Sequence, residues 1–103
     1  MAEKVIAGVT VKVNDEGYMT DPSQWNRDIA VEIAKEYNIT LTDKHFAVLE
    51  FLRQRVMAGE ALTIRRVGSS GIVDIKEFYQ LFPGGPLKVS SKIAGIMKPL
   101  SCV

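Results

Sequence analysis

Hydrophobic and polar residues alternate along residues 4–13, where Val5, Val9, Val11 and Val13 stand among Thr10 and Lys12, before the turn-forming run Asn14-Asp15-Glu16-Gly17. That two-residue period predicts a small β-hairpin with Ala7-Gly8 at its bend. The period then changes. Asp21-Pro22 offers a cap and a first-turn proline, and Trp25, Ile29, Ile33 and Tyr37 recur every four residues opposite Arg27, Asp28, Glu32, Lys35 and Glu36. This is the pattern of an amphipathic helix running to about Asn38. A second helix is announced by Thr42 as cap, with Leu41 in the staple position before it. Its stripe is His45, Val48, Leu49, Leu52 and Val56, widened by Phe46 and Met57, and Gly59 stops it.

Residues 62–82 predict two shorter helices around Gly68-Ser69-Ser70-Gly71, the second carrying Ile75, Phe78, Tyr79 and Phe82. With Arg65 and Arg66 on the first, they fit a helix-turn-helix; they fit ordinary bundle helices better. Asp74, Lys76, Glu77 and Gln80 on the second are half acidic and oppose phosphate, so direct nucleic-acid binding is not expected. Pro83-Gly84-Gly85-Pro86 then makes a rigid turn, Leu87–Ala94 a short helix that Gly95 can end, and Pro99 disfavours further helix. The fold class expected is mainly α with a little β. It is one domain over 1–103, with a hairpin region (1–20), a small helical bundle (21–95) and a flexible C-terminal arm (96–103).

Composition narrows the function classes. A chain of 103 residues suits one domain, and with one Cys and one His it can form neither an internal disulfide nor a closed four-ligand zinc site. The start has no apolar core of a signal peptide, and nothing approaches a membrane span, so a cytoplasmic protein is expected. The net charge of +1 conceals an asymmetry. Residues 1–60 hold ten acids against seven bases, and residues 61–103 two acids against six bases. The basic part can face an acidic protein surface or RNA, although so modest an excess is more often a solvated face.

The candidate nucleophile is Cys102, the penultimate residue, where a frayed chain end would expose the thiol. Ten residues from Lys92 would let its sulfur travel about 30 Å, which suits delivery into another protein's pocket. The carboxylate of Val103 should raise the thiol pKa, and Lys92 and Lys98 could lower it if the arm folds back. His45 reads as a packed or capping residue rather than the base of a Cys-His pair. No phosphate loop, dinucleotide fingerprint or nucleophile elbow is present, and no cofactor or metal is expected. A self-contained active site is therefore not expected.

Leu81-Phe82-Pro83-Gly84-Gly85-Pro86, Lys92-Ile93-Ala94-Gly95, Lys98-Pro99 and Cys102-Val103 resemble the DsrC/TusE family, as do Asp15-Glu16-Gly17-Tyr18, Trp25-Asn26, Leu41-Thr42 to His45, and Phe51-Leu52-Arg53. The family contains the gamma protein of dissimilatory sulfite reductase and the sulfur-relay carrier of tRNA 2-thiouridine synthesis. The resemblance implies a helical domain with a helix-turn-helix-like element, an N-terminal hairpin and a C-terminal arm whose penultimate cysteine, Cys102 here, carries sulfur as a persulfide.

Members acting with sulfite reductase typically have a second cysteine eleven positions upstream; here that position is Ser91. Phe46 stands where the family usually has Trp, and Met97 where it often has Pro. A hydroxyl cannot resolve a persulfide into a disulfide, so the resemblance is nearer to the tRNA-thiolation branch. The expected function is a sulfur carrier, of the kind classed with sulfurtransferases, with Lys88, Lys92, Lys98, Arg65 and Arg66 as partner-binding cations. Its partners would be sulfur-donor and sulfur-acceptor proteins. The alternatives are a sulfite-reductase-associated gamma-type protein lacking the second cysteine and, ranked lower, a helix-turn-helix DNA-binding regulator.

Overall fold

The computed structural model describes residues 2–99. Strands β1 (Ala2–Ile6) and β2 (Val9–Val13) pair antiparallel, with Ile6 opposite Val9 and Ala2 opposite Val13. Ala7 and Gly8 both have positive φ (52° and 78°), which a two-residue bend needs in order to match the twist of its strands. The pairing puts Ile6, Val11 and Val13 on one buried face and turns Val5 and Thr10 outward. The period-two pattern thus marks a half-buried hairpin, and that face rests on the helices as a lone hairpin must.

The expected first helix is two elements. Asp21 caps a single 3-10 turn, Pro22–Gln24, and accepts hydrogen bonds from the Ser23 amide and hydroxyl. Those bonds, the hydroxyl's first, lower the Asp21 carboxyl pKa below its ordinary value. The chain then straightens through Trp25, and Asn26 caps α1 (Arg27–Lys35) by accepting from the Ile29 amide. The helix therefore begins at Arg27, not at Pro22, and Trp25 is outside it. The left-handed backbone of Asn38 (φ 57°) follows its last turn.

Helix α2 (Asp43–Met57) starts at the Thr42 cap expected, and burial of His45, Val48, Leu49 and Leu52 follows the stripe. Met57, expected to widen that stripe, is instead 63% exposed at the helix end. Helices α3 (Ile64–Gly68) and α4 (Ile75–Leu81) are short and pack on each other, with Val67 and Phe78 as their buried residues. Ile75 and Tyr79 face outward on α4.

Helix α5 (Pro86–Ile93) is the hub: α1, α2 and α4 all pack against it. Pro86 stands in its first turn, where the missing amide proton costs nothing. Leu87, Val89, Ser90, Ser91 and Ile93 are buried, together with Ala94 and Ile96 beyond its end. Among the described residues no helix is long and apolar enough to cross a membrane.

Candidate functional site

The end of α5 and residues 94–99 form the root from which the chain continues to Cys102, and Cys102 itself lies outside the described residues. Side chains from two distant parts of the chain hold this root. A helix end leaves its last carbonyls without helical partners. Two such carbonyls find partners here: the indole Nε1 of Trp25 donates to the carbonyl of Ile93 at 2.8 Å, and Arg53 Nη1 donates to that of Ala94 at 2.8 Å. The other arm of the guanidinium donates to the Pro22 carbonyl at 2.9 Å, and its carbon lies 4.3 Å from the centre of the Trp25 ring.

Burial lowers the Arg53 pKa from its ordinary value, and a guanidinium stays charged regardless. Gly95 has φ +69°, and a Cβ there would overlap the Trp25 side chain, so this position needs glycine both for its backbone and for the indole. Ile96 donates back to the Ser91 carbonyl. Ile96 and Pro99 are buried.

This arrangement changes the reach expected from the sequence. Lys92 belongs to α5, and Ile96 and Pro99 pack on the body, so the span available to Cys102 counts from Pro99. Three steps of chain at about 3.3–3.6 Å each place its Cα within about 11 Å of that of Pro99. Beside the root lies a cleft of about 380 Å³ lined by Val56, Leu62, Thr63, Met97, Lys98 and Pro99.

The expected cations divide between two places. Lys88 is exposed on α5, and its carbonyl accepts from the Tyr18 hydroxyl at 3.2 Å. Lys92 is half-buried, with its ammonium 5.6 Å from the Tyr18 ring centre and 5.9 Å from that of Tyr37. Lys98 pairs with Glu16 at 2.9 Å. Lys92 and Lys98 thus converge on the turn that follows β2. Arg65 and Arg66 stand on α3 instead, exposed, with Arg66 bound to Glu60 at 3.0 Å.

His45 both packs and caps. Thr42 N donates to its Nδ1 at 3.1 Å, which leaves the proton on Nε2 to be donated to the Leu81 carbonyl at 3.0 Å, and its ring meets Phe82 edge-on. Both ring nitrogens are thus engaged in hydrogen bonds. Ser91 is fully buried, and its Oγ has no hydrogen-bond partner among the described residues. Among those residues no group of three or more His, Cys, Asp or Glu is placed to hold a metal.

Trp25, Arg53, Tyr18 and Glu16 were not singled out by residue chemistry, although each lies in a segment that carries the family resemblance. Their partners are distant: 68 residues separate Trp25 from Ile93, and 41 separate Arg53 from Ala94. Local spacing gives no sign of such pairs.

A family model described as DsrC-like protein matches residues 5–103. The Sulfurtransferase TusE of Photorhabdus laumondii is 32% identical over 107 residues, covering 96% of each chain. That of Escherichia coli K12 is 30% identical, covering 96% of this chain and 98% of the relative. Among solved structures, the crystal structure of dissimilatory sulfite reductase I (DsrI) superposes with a TM-score of 0.86 at 29% identity, covering 99% of this chain and all of the other. The oxidized gamma-subunit of the dissimilatory sulfite reductase (DsrC) from Archaeoglobus fulgidus superposes at 0.81 with 27% identity, over the same shares of the two chains. The α+β fold of these structures, five helices and a hairpin over the described residues, is the fold described above. The chain belongs to the DsrC-like protein family.

Proposed function

We propose that this protein is a sulfur-relay carrier whose cargo atom is bound at Cys102. The observation that carries the reading is that the chain has one cysteine, while its curated relatives are named sulfurtransferases. The Cys102 thiolate attacks the outer sulfur of a donor protein's persulfide. The donor's S–S bond breaks, the donor leaves as thiolate, and Cys102 becomes a persulfide with no net change of oxidation state. A second displacement by an acceptor thiol passes the sulfur on and returns Cys102 to thiolate.

Ser91 offers no second sulfur, so each transfer ends on a partner rather than in an internal disulfide. The chemistry needs no cofactor of the protein's own, and the partners are sulfur-donor and sulfur-acceptor proteins of the cytoplasm. Lys88 is the exposed cation on α5, Lys92 and Lys98 lie at the root, and Arg65 and Arg66 lie on α3. Together they favour an acidic partner face, an attraction that salt screens.

The test is to incubate the reduced protein with a persulfide-loaded sulfurtransferase and weigh it. One sulfur atom, a gain of about 32 Da, should map to Cys102 and be abolished by Cys102→Ser. No gain, or a gain untouched by that substitution, overturns the reading. The likeness to DsrI and to the gamma-subunit favours a second reading, a gamma-type partner of sulfite reductase. Co-purification with a siroheme reductase rather than a tRNA-thiolating enzyme distinguishes it.

A further inference from the structure

We propose that Trp25 and Arg53 form a clasp that positions the Cys102 arm for transfer between proteins; the inference rests on the sulfur-carrier reading above. Neither residue touches the cargo. Both act through the backbone of Ile93 and Ala94, where they complete the two carbonyls that the end of α5 leaves open. Ile93 and Ala94 are fully buried, so their carbonyls need donors from the protein itself, and the two that serve come from segments 68 and 41 residues away.

What the pair adds is a fixed exit direction. Gly95 closes against the indole, Ile96 bonds back to Ser91, and Arg53 ties the whole root to the Pro22 turn. Because the Cα of Cys102 stays within about 11 Å of that of Pro99, a shift of the root shifts by as much the region that the sulfur can reach. With a longer tether the same shift would be a smaller part of the reach. With a reach this short, the place of the root decides which partner sulfur the thiolate can meet.

The experiment uses the full chain with Trp25→Phe, which keeps an aromatic face but loses the indole donor, and Arg53→Gln, which loses the two-armed cation. Uptake of sulfur from a persulfide-loaded donor protein should fall about tenfold or more in kcat/KM, since misplacements of about 1 Å can cost about a hundredfold. The rate at which Cys102 reacts with a small aromatic disulfide should stay as in the parent, because a small reagent needs no particular exit direction. A purely structural role would move neither rate at temperatures where the variants are folded.

A second readout does not involve sulfur. A nitroxide placed by Met97→Cys in a Cys102→Ser background should gain mobility when either clasp substitution is added. Folded variants with unchanged protein-to-protein transfer, or with a small-reagent rate that falls equally, overturn the clasp. An unchanged nitroxide spectrum also overturns it. Failure of the parent to take up sulfur overturns the carrier reading instead, and the nitroxide still decides whether the root is clasped. If Arg53→Gln does not fold, Trp25→Phe alone carries both readouts.

Discussion

The root at the end of α5 and the α3–α4 corner make an instructive pair. Both are short helical segments with basic residues on or beside them, and in sequence the corner is the more conspicuous, since two helices about a glycine-containing turn fit a known DNA-binding motif. In space the order reverses. The corner buries Val67 and Phe78 and turns Arg65, Arg66, Ile75 and Tyr79 outward. The root buries nearly every apolar residue it has, and two side chains from elsewhere in the chain, Trp25 and Arg53, bond to its carbonyls. A motif legible by spacing is one whose contacts are local. A root held by side chains from distant segments depends on contacts that spacing cannot show.

The sharpest way to break the comparison is to cut apolar volume on each side. Ile93→Ala opens a cavity at a fully buried site on the helix against which three others pack and should cost about 3 kcal/mol in denaturant unfolding. Tyr79→Ala removes a 46% exposed ring and should cost no more than about 1 kcal/mol. Equal losses would mean that the corner is as much a part of the core as α5.

Charge gives the next contrast. Arg53→Met keeps much of the stem but leaves the carbonyls of Ala94 and Pro22 without their donor, and should cost about 2 kcal/mol, given the usual strength of hydrogen bonds to charged groups. Arg65→Met, at an exposed site, should stay within about 0.5 kcal/mol. Urea titrations of the two variants decide whether the root depends on its cation more than the corner does.

These contrasts also mark how far the sequence could be read. The Ala7-Gly8 bend, the Thr42 cap, the Gly59 stop and the pair of short helices were all legible, because each depends on residues within one turn of one another. The break before α1 was not. Trp25 continues the four-residue period, yet its indole is engaged 68 residues away, and Asn26 takes over the cap. Met57 likewise fits the stripe of α2 by period but stands exposed at the last position of the helix. At the site, the residue types were legible and their pairings were not: Lys98 read as a steering cation, and the fold sets it against Glu16, 82 residues distant.

A smaller effect of opposite sign sharpens the picture of the root's interior. Ser91 is fully buried, and its hydroxyl has no partner among the described residues. Removing an unpaired polar group from such a site should help. Ser91→Ala should raise stability by up to about 1 kcal/mol. Ser91→Cys should do about as well, since a buried thiol behaves as a small hydrophobe. A clear loss of melting temperature in both would show that the hydroxyl is bonded after all.

The smallest effect concerns the Glu16–Lys98 pair at the outer edge of the root. Its ions are 2.9 Å apart, but the side chains are 56% and 30% exposed, so water and salt compete for both. A double-mutant cycle with Glu16→Gln and Lys98→Met should give a coupling of about 0.5 kcal/mol at low salt. The coupling should shrink toward zero near 1 M salt, where the screening length is about 3 Å. The Ile93 and Arg53 losses should hardly change over the same range, because their contacts are buried or hydrogen-bonded to carbonyls. If the coupling instead resisted salt, the pair would have to be shielded from solvent, and the edge of the root would be as firmly held as its centre.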